Sequence, residues 1–300
     1  MTNKILFSGV ASAIITPFSS GEIDYFSLRR IINAQISAGV DALVVGGTTG
    51  EASTLSHDEK LRLYSFVIKE VAGRIPVIAG CGSNDTKRAV SLAKAIKNLS
   101  ADGILSVTPY YNKGTCEGIK KHYLSIAESS DLPMIIYNVP QRTGVNMPIS
   151  LVDELSEHEN IVGIKEASDS SERLLLLSAL SDKIKLYAGN DTATLQTLAL
   201  GGLGVISVVS NVLPRAMQEL CKSFFLGNIS RSAEIQRSLI PMINAMFTEV
   251  NPVPVKYCMS LAGFSSPEVR LPLSLPSEST ARAIEKAFEN FLSEHPDLSC

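Results

Sequence analysis

Lys165 lies in Ile161-Val162-Gly163-Ile164-Lys165-Glu166-Ala167, a run that is otherwise mostly apolar. A lysine in such a strand is costly unless it has a purpose. Removal from water disfavours the ammonium and lowers its pKa. A neutral amine can attack a ketone and form an imine, an electron sink for carbon–carbon bond chemistry. The competing reading is a lysine paired with a neighbouring carboxylate. Position alone leaves the two balanced, so companions matter. Val45-Gly46-Gly47-Thr48-Thr49-Gly50-Glu51 offers close backbone approach, N–H groups and two hydroxyls, which suit a carboxylate. Thr108-Pro109-Tyr110-Tyr111-Asn112 carries adjacent tyrosines, which packing alone could explain. Tyr137-Asn138-Val139-Pro140-Gln141-Arg142-Thr143-Gly144 joins a phenol, a fixed turn and an arginine. Arg142 could clamp a carboxylate through two parallel hydrogen bonds, or be a surface residue after a turn. Ala188-Gly189-Asn190-Asp191 and Gly204-Val205-Ile206-Ser207 are weaker signals.

Each of these segments ends a predicted strand. The strands are Val10–Thr16, Ala42–Val45, Pro76–Ala79, Gly103–Val107, Met134–Asn138, Ile161–Glu166, Lys185–Ala188 and Val205–Val208. Most are continuously apolar, as expected of parallel strands buried on both faces. Between them run helical patterns at Phe26–Ala38, His57–Ala72, Thr86–Leu99, Cys116–Glu128, Ile149–Leu155, Ser171–Leu180 and Thr192–Leu200, and Pro214 opens another. Ser56 caps the second, with Glu59 placed for a capping box. A βα rhythm repeated eight times predicts an α/β fold, a (β/α)8 TIM barrel, whose chemistry sits at the strands' C-terminal ends. A doubly wound sheet is the rival, but its GxGxxG turn is missing. The barrel is expected over 1–225. Helices at Ser230–Glu249, Val253–Leu261 and Ser279–Ser293 form a C-terminal helical domain over 226–300.

The 300 residues carry a net charge of -3, with cations scattered, which argues against nucleic acid as a partner. Five dispersed cysteines, without a CxxC, fit reduced thiols in the cytoplasm. Four dispersed histidines give no metal motif, so neither metal nor cofactor is expected. Met1–Phe7 lacks a signal-peptide core, and no apolar run approaches the ~20 residues needed to cross a bilayer.

GGTTGE at 46–51, TPYYNK at 108–113, YNVPQRTG at 137–144, GIKEAS at 163–168 and GGLGVISV at 201–208 together resemble the dihydrodipicolinate synthase family of the N-acetylneuraminate lyase superfamily. The likeness covers essentially the whole chain. It implies a lyase that condenses pyruvate with aspartate semialdehyde in diaminopimelate and lysine biosynthesis. It makes Lys165 the imine-forming residue and Tyr137 the general acid/base. Thr48 would link Tyr137 to Tyr111 of a neighbouring subunit, in a homotetramer built as a dimer of dimers. Thr49 would hold the pyruvate carboxylate and Arg142 that of the semialdehyde. Gly189 and Ile206 would give main-chain contacts near the lysine. A phenol with pKa near 10 needs such a relay to exchange protons near neutral pH.

Arg142-Thr143 and Thr48-Thr49 favour the synthases over the sialic-acid lyases. A keto-deoxy-sugar-acid aldolase remains an alternative, and a non-catalytic binding barrel a more distant one. The sequence departs from the family at Gly114-Thr115-Cys116, where Pro-Thr-Gln is common. It departs again where relatives bind lysine as feedback inhibitor. The matching positions are Ser53, His57, Lys60, Asn84, Arg88 and Tyr110. Sensitive bacterial enzymes have histidine at the Lys60 position and glutamate at the Arg88 position. Two cations there would repel the inhibitor's ammonium, so weak or absent lysine inhibition is expected.

Overall fold

A computed structural model of the chain describes residues 4–298. Cys300 and part of the Met1–Phe7 segment lie outside the described residues. Eight parallel strands close into a barrel: β1 (Gly9–Ala13), β4 (Ala42–Val45), β5 (Val77–Gly80), β6 (Gly103–Val107), β7 (Met134–Asn138), β8 (Ile161–Glu166), β9 (Lys185–Ala188) and β10 (Gly204–Ser207). β1 pairs with β10 on one side and β4 on the other, so the sheet has no edge. A short hairpin, β2 (Phe18–Ser19) and β3 (Glu22–Ile23), follows β1.

The helices are α1 (Tyr25–Ser37), α2 (His57–Val71), α3 (Thr86–Asn98), α4 (Cys116–Ser130), α5 (Pro140–Thr143), α6 (Ile149–Ser156), α7 (Ser171–Ser178), α8 (Thr194–Ala199) and α9 (Pro214–Phe225). Then come α10 (Ile229–Ser238), α11 (Ile240–Met246), α12 (Val253–Leu261) and α13 (Glu278–Glu294). Local chemistry sets many starts. Ser56 and Glu59 form the capping box of α2, and Asp24, Asp85, Thr115 and Ser277 cap their own helices.

The strands are apolar throughout because each serves two cores. Ala42 and Val44 point into the barrel with Ala11, Ile78, Leu105 and Ile135, while Leu43 and Val45 pack against the surrounding helices. Phe7 stacks on Tyr187, and the Tyr187 hydroxyl donates to the Phe7 carbonyl at 2.9 Å, filling part of the barrel interior. The outer core includes Ile235, Met242, Val255, Ile284 and Phe291. Buried apolar contact therefore runs without a break past Phe225, where α9 ends, into the terminal helices.

Three expectations need correction. The first strand stops at Ala13 instead of Thr16, because Asn211 replaces a strand partner: its Oδ1 accepts from the Ile15 amide at 3.0 Å. The single helix expected over 230–249 is two, meeting at Leu239. Pro241 cannot donate a backbone hydrogen bond, so it sits in the first turn of α11. The segment expected as one helix from Thr192 begins with a 3-10 turn, Asp191–Ala193, before α8.

Candidate active site

Lys165 and Tyr137 are brought together by register. β7 and β8 pair so that Tyr137 lies opposite Lys165 and Ile135 opposite Gly163. Alternation puts both Tyr137 and Lys165 on the inner face. The Lys165 Nζ lies 4.4 Å from the Tyr137 ring centroid, and the lysine is 6% exposed. Burial pushes its pKa down to about 8; Asp191 opposes this and the Arg142 guanidinium adds to it. Burial pushes the Tyr137 phenol up to about 12, partly countered by Arg142 and by a hydrogen bond with Thr48.

The alternative role for Lys165, ion pairing, is not what the structure holds. Among the described residues no carboxylate lies within ion-pair distance of it. Its neighbour Glu166 points the other way. That carboxylate accepts from Arg173 Nε at 2.8 Å, Asn138 Nδ2 at 2.9 Å and the Ser168 amide at 2.8 Å. Asp191 is buried behind the site and accepts from Ser207 Oγ at 2.5 Å and the Val208 and Val209 amides.

The pair opens into a cavity of about 1170 Å³ at the C-terminal rim of the barrel. Thr48, Thr49, Arg142 and Gly189 also line it. The Thr48-Thr49 loop owes its turn to Gly46, at φ +63, where a Cβ would collide with Tyr64. Ile206 is fully buried, pairs with Ala11, and packs in the inner barrel cluster that also holds Tyr137. Tyr111 stands apart. It is 89% exposed, with φ +74, and does not line the cavity of its own chain.

The six positions matched to a lysine site, Ser53, His57, Lys60, Asn84, Arg88 and Tyr110, all line the same cavity. Burial lowers the Lys60 pKa, and Arg88 leans on Asp85 at 3.4 Å. Among the described residues no three His, Cys, Asp or Glu side chains cluster to hold a metal, and no helix is long and apolar enough to cross a membrane.

Sequence reasoning overlooked Asn251, ahead of α12. Its Nδ2 donates to Thr49 Oγ1 at 3.0 Å, and its carbonyl accepts from Arg142 Nη2 at 3.0 Å. The available signal was an asparagine before Pro252 and Pro254, which marks a constrained turn.

Fold and site together define a (β/α)8-barrel protein with a lysine-centred pocket at the strands' C-terminal ends. The chain belongs to the Dihydrodipicolinate synthetase family, whose model matches residues 6–291. It is 48% identical over 286 residues to 4-hydroxy-tetrahydrodipicolinate synthase of Thermotoga neapolitana, covering 93% of this chain and 97% of that one. The crystal structure of dihydrodipicolinate synthase from Thermotoga maritima superposes with a TM-score of 0.93 at 43% identity, covering 97% of this chain and 99% of the other. The enzyme from Cyanidioschyzon merolae, crystallised with lysine bound, gives 0.93 at 38% identity, covering 96% and 99%.

Proposed function

We propose that the chain condenses pyruvate with L-aspartate 4-semialdehyde through an imine on Lys165, as 4-hydroxy-tetrahydrodipicolinate synthases do. The observation that carries this reading is a buried lysine of lowered pKa beside a buried phenol in the barrel mouth. The neutral Lys165 amine attacks the ketone carbon, and Tyr137 supplies the proton with which the carbinolamine loses water. Loss of a methyl proton from the imine gives an enamine. Its carbon attacks the aldehyde carbon, and the aldehyde oxygen takes up a proton. The substrate's own amine then attacks the imine carbon, closes a six-membered ring and releases Lys165.

In this reading Thr49 holds the pyruvate carboxylate and Arg142 takes that of the semialdehyde; that both line the cavity supports it. An arginine there supports an acidic aldehyde over a neutral sugar aldehyde, whose hydroxyls need no fixed cation. The exposed Tyr111 supports a role in a neighbouring subunit's site, within a dimer of dimers. Cytoplasmic action fits a chain whose described cysteines form no disulfide.

Borohydride reduction in the presence of pyruvate tests the mechanism. The expected result is a reduced pyruvate adduct on Lys165, absent from Lys165→Met. Folded protein without an adduct overturns it. Tyr137→Phe is expected to form the adduct more slowly and to lose roughly 10²–10⁴-fold in turnover of the two substrates.

A further inference from the structure

Glu51 closes the loop that carries Thr48 and Thr49, and its backbone sits at φ +53. A glycine would adopt that conformation without strain; a glutamate does so at a cost, which points to a use for its side chain. That side chain is almost wholly buried. Its Oε1 accepts from Lys256 Nζ at 2.5 Å, and its Oε2 accepts from the Arg270 amide at 3.0 Å. Lys256, on α12, is fully buried, with its Nζ 4.1 Å from the centre of the Phe18 ring. The Arg270 guanidinium lies over the same ring and pairs with Glu59, the capping residue of α2. Five residues before Lys256, the Asn251 side chain grips Thr49 and its carbonyl grips Arg142.

Every one of these holds comes from the segment after α11, and three of them end on the 46–51 loop itself, at Thr49 and at both Glu51 carboxylate oxygens. None of the residues making them is among those that perform the chemistry proposed above. Two fully buried charges are an expensive way to fasten a loop if bulk stability is the only aim, since apolar side chains of similar size do that as well or better. A charge pair does fix position and direction. The threonine hydroxyls need that, because a displacement of about 1 Å at a reacting centre can cost on the order of a hundredfold in rate.

We propose that Lys256 and Glu51 are positioning residues: the buried pair clamps the 46–51 loop so that Thr48 stays on Tyr137 and Thr49 stays on the pyruvate site. The terminal helices are thereby a working part of the catalytic barrel. This rests on the imine reading above.

The test is a Glu51→Gln/Lys256→Met double variant, which removes both charges and keeps most of the volume, beside Glu51→Gln alone. With pyruvate as the only substrate, exchange of its methyl protons for solvent deuterium, followed by NMR, reports enamine formation. Borohydride trapping reports imine formation at Lys165. The expected result is folded protein that is still trapped at Lys165, with methyl exchange slowed about tenfold or more and a raised KM for pyruvate. A purely structural pair would lower the melting temperature and leave both readouts unchanged per folded site. Exchange and KM within about twofold of the parent, in whichever variants fold, overturn the clamp. Glu51→Gln decides the matter if the double variant does not fold. A parent protein that neither traps nor exchanges pyruvate would overturn the imine reading itself, a result distinct from a parent that exchanges alongside unaffected variants.

Discussion

Lys165 reacts only as the neutral amine, and its surroundings set the pH at which that form is available. An ordinary lysine near pKa 10.4 is neutral in only about one molecule in several thousand at pH 7. Burial brings Lys165 down to about 8, which raises that share to roughly a tenth. The rate of imine formation in the free protein is therefore expected to climb with pH and level off above about 8. Asp191 works against this by favouring the ammonium. Asp191→Asn keeps an acceptor for Ser207 and removes the charge, so the rise should move to lower pH. Trapping rates across pH measure the shift; a midpoint that stays put or moves upward contradicts the electrostatic role given to Asp191. Lys165 itself was legible from its neighbours in the sequence, since a charge inside a buried strand demands a reason. Asp191 was only weakly legible, because its link to Lys165 exists only once β9 lies beside β8.

Among elements, the outer face of β8 matters as much as the inner one. Glu166 is fixed there by Arg173 of α7, and both side chains are nearly inaccessible. Removing one partner strands a buried charge. Arg173→Met is expected to cost about 3–5 kcal/mol of stability, measurable by urea unfolding. At 25 °C and low denaturant the variant should still form the Lys165 adduct, because the lysine faces the other side of the strand. Loss of the adduct in folded Arg173→Met would contradict this division between faces. The order and extent of the strands were largely readable from continuous apolar runs bounded by glycine or proline, as in Ala42–Val45 before Gly46 and Met134–Asn138 after Pro133. The Phe18–Ile23 hairpin was not. Two residues per strand are too short to show a period, and Phe18 is held by Lys256 and Arg270, more than 230 residues away.

Across the whole molecule, Tyr111 is the residue that a single chain leaves unexplained. If it serves a neighbour's site, Tyr111→Phe and Lys165→Met chains, each nearly inactive alone, should complement when co-expressed. Random pairing gives one intact site in about four, so roughly a quarter of the parent activity should return. No recovery in mixed oligomers would place Tyr111 outside the reaction. The same cavity bears on regulation. Lys60 and Arg88 line it beside His57, and cations there oppose the ammonium of free lysine. Steady-state assays are expected to show little inhibition by lysine at millimolar concentration, while strong inhibition below that range would refute the charge argument. Lys60→His with Arg88→Glu should then increase sensitivity.

The sequence by itself determined the barrel, the lysine and the residues at each strand end, because buried parallel strands and strand-end loops are written in local pattern. It also specified the family through five motifs spread over the chain. Tertiary structure alone decided that Tyr137 stands opposite Lys165, that Glu166 is turned away to Arg173, and that Asn251 and Lys256 reach back to the Thr48-Thr49 loop. These depend on register and on contacts between residues some 200 positions apart, whose pairing no local spacing encodes.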